Sequence, residues 1–271
     1  MKQIRQRILK LRRALNVQFA LRALPALSVF VCYFINRDAL DYFGGDAFSF
    51  GFLKKPLVLF VWIFLLIDLT IRVFPLSFRS IGMKKAFACS YKPVKEGNKP
   101  DKKTIRKLQK NAIRSFLFYF FFNALYGVPY LLIRFGVLKP GESSILPEAI
   151  AKWLQNLGAP ELTVIVMLYY LIDLIFIRFW CIFRNVLNKN RCCADCRINC
   201  WDGLMYVTPM ILCPLAFVPV TLFAAAFLSF APFEFAFYRH PERFDPKCNA
   251  NLTCDACEND VCPRKLRGKK R

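Results

Sequence analysis

Five long apolar stretches alternate with polar segments, and this alternation constrains the fold more than any other feature of the chain. The stretches are Val17–Phe34, Pro56–Phe74, Ile113–Leu138, Leu162–Phe183 and Leu204–Tyr238. The first four approach the roughly 20 apolar residues that a helix needs to cross a bilayer. Inside hydrocarbon a backbone must satisfy its own hydrogen bonds, which leaves helices or closed barrels. The stretches are continuous and show no strict polar alternation, so they predict helices. Apolar residues make up 56% of the chain, above the roughly 45–50% of an ordinary soluble domain. The sequence therefore reads as an all-α integral membrane protein.

The charge distribution supports the same reading. A net charge of +22 could indicate nucleic acid, but the charge is concentrated in the polar segments that alternate with the apolar stretches. Residues 1–16 carry +6, 75–112 carry +9, 184–203 carry +2 and 239–271 carry +4, whereas 35–55 carry 0 and 139–161 carry −1. Lys and Arg favour the cytoplasmic side of a membrane. The four basic segments, including the N-terminus and the tail, are expected in the cytoplasm and the two neutral loops outside. A basic inner face of this kind attracts anionic lipid, so nucleic acid is a poor partner choice beside the bilayer itself. Residues 1–16 place Ile4, Ile8, Leu11 and Leu15 at helical spacing among basic residues, the pattern of an amphipathic surface helix. Arg22 interrupts the apolar stretch that follows, which argues against a secretory signal peptide.

The first four stretches divide into two halves. Membrane hairpin 1 spans residues 17–74, a basic loop spans 75–112, and membrane hairpin 2 spans 113–183. Leu66-Ile67-Asp68-Leu69 is repeated as Leu171-Ile172-Asp173-Leu174, and Ala23-Leu24 as Ala124-Leu125. Both halves start on the same side, so they are expected to be parallel repeats, an arrangement some transporters share. Such a bundle also admits assembly with further copies of itself. The fifth stretch, 204–238, is interrupted by Pro209, Pro214, Pro219 and Pro232. Proline cannot continue a helical hydrogen-bond ladder, and 35 residues are fewer than the roughly 40 required by two full crossings. A re-entrant hairpin turning near Pro214–Pro219 is expected, in preference to a single crossing that would separate the segments on either side.

Those flanking segments hold most of the cysteines. Cys192, Cys193, Cys196 and Cys200 lie in 184–203, and Cys248, Cys254, Cys257 and Cys262 lie in 239–271. Cys193-x2-Cys196 and Cys254-x2-Cys257 have the spacing that lets two thiolates converge on one metal ion, and two such knuckles make a tetrahedral zinc site. His240, the single histidine, is a further possible ligand. Zinc is the expected metal and an iron–sulfur cluster the alternative, because Pro263 trails Cys262 as proline trails the last cysteine of a ferredoxin run. Disulfides require an oxidising compartment and conflict with a cytoplasmic placement.

Asp68 and Asp173 are the other chemically distinctive residues, because ionisable groups inside a membrane are costly and often functional. They recur once per repeat at similar depth. Each has an arginine nearby, Arg72 four residues after Asp68 and Arg178 five residues after Asp173. Local pairing on one helix face is the structural explanation, and cation binding or proton relay is the functional one. The sequence contains no Gly-rich phosphate loop or nucleophile elbow, and a single histidine disfavours hydrolytic triads, so an enzyme is not expected. Transport, permeation or membrane scaffolding is the leading expectation. Membrane electron transfer through an iron–sulfur cluster and recruitment of nucleic acid or an anionic partner are the alternatives.

Overall fold

The computed structural model describes residues 2–41, 53–73, 91–94, 99–137, 148–178, 182–188, 201–213 and 216–253; for residues 2–18, 72, 73, 151, 177, 178 and 184 it describes the backbone alone. Among the described residues, seven α-helices form the framework: α1 (Lys2–Ile35), α2 (Pro56–Val73), α3 (Lys102–Arg134), α4 (Glu148–Gln155), α5 (Ala159–Arg178), α6 (Asp202–Val207) and α7 (Phe217–Arg239). Among the described residues there is no strand, and the only bridge joins Pro93 to Asn249. The helices α3, α5 and α7 are long and apolar enough to cross a membrane, while Phe19–Ile35 of α1 and Pro56–Ile71 of α2 are shorter apolar stretches.

The distribution of polarity also identifies a membrane-embedded bundle. Leu24, Val31, Ile67, Phe120, Phe121 and Leu228 point outward, whereas Asp68, Ser115 and Glu161 are buried. Extended apolar surface on this scale is rare on soluble monomers, and burying acids between helices is tolerable only where they are paired. The basic segment 1–16 and the first apolar stretch form one continuous helix, α1. Likewise α3 begins at Lys102, eleven residues before the expected apolar start, where the Asp101 side chain accepts the Lys103 backbone N–H at 3.1 Å and caps it. Such a cap satisfies one of the otherwise unpaired donors of the first turn.

Side-chain contacts set the helix directions. Lys55 beside Asp38 and Arg22 beside Asp68 make α1 and α2 antiparallel. Tyr33 beside Glu161 makes α1 and α5 antiparallel. Trp62 donates to Thr221 at 2.9 Å and packs on Phe217, so α2 and α7 are parallel. Leu108, near the start of α3, joins Phe233 and Phe237, near the end of α7, around Phe244, so these two helices are antiparallel. One end of the bundle thus gathers the starts of α1 and α3 and the ends of α2, α5 and α7. The main core packs Ala26 and Val29 of α1, Leu65 and Leu69 of α2, Val166 and Tyr170 of α5, Tyr206 of α6 and Leu222 and Ala226 of α7.

The proline-rich fifth stretch is divided as its composition dictates. The α-helix α6 tightens to a 3-10 turn at Thr208–Leu212, where Pro209 lacks a donor. The backbone becomes extended at Cys213 and Ala216 before α7 starts. The limb Trp201–Cys213 lies antiparallel to α7: the Trp201 indole donates to Glu234 at 2.8 Å and packs edge-on against Phe230. Pro219 falls in the first turn of α7, where its missing N–H has no intrahelical partner to lose.

Candidate functional site

Three polar features, and a further ionic fastening at Glu161, sit in or at the ends of this apolar bundle. The first is a seam where α3 and α5 meet the broken limb. The Tyr126 hydroxyl donates to Asn123 at 2.6 Å, and the Asn123 amide donates to the Tyr119 carbonyl at 3.0 Å. The Tyr119 ring packs on Tyr169 at 5.3 Å, and the Tyr126 and Tyr169 hydroxyls are polar neighbours. The Tyr119 hydroxyl is buried; Asn123 and Thr208 border it without reaching hydrogen-bond geometry, and the Asp173 carboxylate acts on it electrostatically. Thr208 itself caps back onto the Leu204 carbonyl at 2.7 Å. Hydroxyls and an amide therefore line one seam beside the broken limb, within electrostatic reach of the Asp173 carboxylate.

The second feature is an ion pair between the first two helices. Arg22 of α1 lies 2.8 Å from Asp68 of α2, and the aspartate is 7% exposed. Arg22, an interruption in an apolar run at the level of sequence, is thus the counter-charge for a buried acid. The side chains of Arg72 and Arg178, the arginines nearest the two acids in sequence, lie outside the described residues. Asp68 meets a guanidinium from α1, and the Asp173 carboxylate lies within electrostatic reach of Tyr119 of α3.

The opposite end of the bundle is fastened by Glu161, which is 3% exposed. One carboxylate oxygen meets Arg37 at 2.7 Å and accepts the Tyr33 hydroxyl at 3.0 Å, and the other accepts the Gly158 N–H at 2.8 Å. Arg37 also donates to the Asn156 carbonyl at 3.0 Å. The hydrogen bond to Glu161 pushes the Arg37 guanidinium above its ordinary range. Only the charge balance of 139–161 hinted at this acid in the sequence.

The third feature is the polar end formed by the tail. Asp245 and Asn249 are buried there. Asp245 accepts the backbone N–H of Asp101 at 2.6 Å and of Lys247 at 2.9 Å. The Asn249 amide donates to the Arg243 carbonyl at 2.8 Å, and its oxygen accepts Asn251 N–H at 3.1 Å and Lys92 N–H at 3.4 Å. Backbone bonds from Ala250 to Lys92 and from Val94 to Cys248 complete the clasp. The tail is held against Lys92, Val94 and Asp101 by hydrogen bonds and against α7 by Phe244, which packs on Phe233 and Phe237.

Of the predicted metal ligands, Cys192, Cys193, Cys196, Cys200, Cys254, Cys257 and Cys262 lie outside the described residues. Cys248 and His240 are described. Burial first, and then the Asp245 and Glu242 carboxylates, push the Cys248 thiol above its ordinary value. His240 presents Nδ1 to Glu242 at 3.1 Å, and a carboxylate on one ring nitrogen is the usual way a metal-binding histidine is oriented. Among the described residues no three His, Cys, Asp or Glu side chains converge as a metal site. No family model matches the sequence, and no curated protein or solved structure matches it.

Proposed function

We propose that this polytopic membrane protein passes a small solute or ion through its helix bundle. The seam of Tyr119, Asn123, Tyr126, Tyr169, Asp173 and Thr208 would serve as the polar path. The observation that carries this reading is the placement of the seam against the broken limb Trp201–Cys213. Irregular backbone at membrane depth is tolerated where it is buried in protein or lines a cavity, and discontinuous helices with polar neighbours mark the binding sites of many transporters. Scaffolding requires neither feature. The pairing of Asp68 with Arg22 assigns that acid to holding α1 on α2, and Asp173 would be the acid of the path.

In the same reading the basic end of the bundle faces the cytoplasm and anionic lipid, and zinc is held there by the two C-x2-C pairs, with His240 as an additional donor. Zinc would brace the two cysteine segments against each other. The charge asymmetry along the sequence supports this orientation.

The deciding experiment is reconstitution into liposomes with a panel of alkali cations, protons and small metabolites. Flux of at least one of them, abolished by Asp173→Asn in protein that still folds, is the expected result. Liposomes tight to the whole panel would remove the transport reading. Metal and acid-labile sulfide analysis of anaerobically purified protein tests the cysteine element separately. Zinc without sulfide is expected, and iron with matching sulfide would replace it with electron transfer.

A further inference from the structure

The start of α3 has two faces. Ile105 and Leu108 turn inward against Phe233, Phe237 and Phe244, and this packing fixes the rotation of the helix about its axis. Lys103, Arg106, Lys107 and Lys110 are exposed as a consequence. They stand three or four residues apart, so they are neighbours on one helix surface. From Lys102 to Arg114 the sequence contains no acid, and Asp101 just before is occupied as the helix cap. Among the described residues none of the four is ion-paired. Arg114, by contrast, is committed to the fold and donates to the Leu187 carbonyl at 2.7 Å. Like charges this close along a helix repel one another, and an anion bound across them removes that repulsion.

The same surface continues without a break into apolar side chains. Lys103, Arg106, Lys110, Ile113, Leu117 and Phe120 follow one another at steps of three and four, the spacing of a single helix stripe. All six are exposed, the last three at 51%, 57% and 60%. The apolar run from Ile113 to Ile133 is about 30 Å long as a helix, which matches the roughly 30 Å hydrocarbon core of a bilayer. Seated in that way, α3 holds Lys110 about 5 Å and Lys103 about 15 Å outside the hydrocarbon edge, which brackets the headgroup layer. Side chains on a helix lean toward its N-terminus, so these cations reach away from the hydrocarbon. An anionic group in the headgroup layer meets them while its acyl chains lie on the apolar part of the stripe. A soluble anion uses the cations alone.

We propose that this face of α3 binds an anionic phospholipid, with the phosphodiester headgroup held by Lys103, Arg106, Lys107 and Lys110 and the acyl chains packed along Ile113, Leu117 and Phe120. The site gives the basic end of the bundle a specific lipid contact. It rests on the membrane orientation of the proposed function and not on solute flux.

The experiment is native mass spectrometry of the purified full-length chain in detergent, titrated with phosphatidylglycerol or with phosphatidylcholine of the same acyl chains. The first phosphatidylglycerol should bind at least about fivefold more tightly than the first phosphatidylcholine, the scale for one cation engaging an anionic headgroup. Lys103→Gln/Arg106→Gln/Lys107→Gln/Lys110→Gln should bring the two lipids to equal affinity. Lys2→Gln/Arg5→Gln/Arg12→Gln/Arg13→Gln removes the same charge elsewhere and should keep the preference. If the α3 variant does not fold, Arg106→Gln/Lys110→Gln is expected to reduce the preference at least twofold. Equal affinity for the two lipids in the parent protein would overturn the proposal. So would a preference lost equally in both fourfold variants, which would make it a bulk attraction. Displacement of bound phosphatidylglycerol by inorganic phosphate or a short oligonucleotide at matched ionic strength would also overturn it, because the face would then serve soluble anions. A lipid preference without flux through liposomes would keep the site and remove transport, whereas flux without the preference would do the reverse.

Discussion

Arg22 and Asp68 are joined across α1 and α2 by an ion pair of 2.8 Å, with the arginine side chain 38% exposed and the aspartate nearly enclosed. Removing one member of a buried pair strands the other, and the cost for a fully buried pair is about 3–5 kcal/mol. The partial exposure of Arg22 lowers this, so Arg22→Gln should cost about 2 kcal/mol. The double variant Arg22→Gln/Asp68→Asn should be more stable than Arg22→Gln alone, because no uncompensated charge remains. A double-mutant cycle on unfolding in detergent measures the coupling. Additive effects would mean that the pair contributes nothing to the α1–α2 contact.

The tail clasp makes a second prediction. Asn249 bonds at once to Arg243, Asn251 and Lys92, so Asn249→Ala leaves several buried polar groups unsatisfied, at about 1–3 kcal/mol each for those that water cannot reach. Because Cys248 is 1% exposed within the same clasp, alkylation of its thiol reports directly on opening. In a variant retaining Cys248 as the sole cysteine, Asn249→Ala should speed alkylation by at least tenfold. An unchanged rate would show that Phe244 packing alone holds the segment.

These two features mark where sequence reading succeeds and where it stops. The helices were legible because apolar runs in a membrane permit little else, and the change of helix type at Pro209 follows from its missing donor. Asp68 was visible as an acid in an apolar stretch. Its partner was not, since Arg22 lies 46 residues away and the meeting depends on how α1 and α2 rotate as they pack. Tyr119 was hidden within the aromatic run Phe116–Phe122, where its hydroxyl gives no periodic signal. Asp245 and Asn249 are ordinary polar residues in a short segment, and only folding against Lys92 and Asp101 gives them their role. Glu161 contributed one charge to a loop count, and its burial depends on three other segments.

The Glu161 fastening can be tested through Arg37, whose single Nη2 atom bridges the Glu161 carboxylate and the Asn156 carbonyl. Lysine keeps the charge but loses the planar fork that fits this geometry. Arg37→Lys and Tyr33→Phe should each cost about 1 kcal/mol, the net worth of one such hydrogen bond. Since both partners bond the same carboxylate oxygen, their combined loss should be non-additive. Thermal unfolding of the three variants measures this. Strict additivity would mean that the two bonds are independent.

Acid should loosen the basic end of the bundle through Asp101. Its carboxyl is held below the ordinary value chiefly by the Lys103 backbone N–H, with help from Thr104 and Lys247. A carboxyl lowered in the folded state binds fewer protons there than in the unfolded chain, so its contribution is present above the ordinary carboxylate range near pH 4 and is lost as pH falls through the lowered folded value. The cap on α3 and the contact to Lys247 weaken together, and the Asp101 backbone N–H that bonds Asp245 is freed to move with them. Alkylation of Cys248 cannot report at such a pH because the thiol is fully protonated, so hydrogen exchange of the Asp101–Ile105 and Lys247–Asn249 amides is the appropriate readout. Exchange corrected for its intrinsic pH dependence should accelerate below pH 4 in the parent chain. Asp101→Asn keeps a capping oxygen but cannot titrate, so its corrected exchange should not acquire that acid-dependent step. Identical acid profiles for the two proteins would place the acid sensitivity elsewhere.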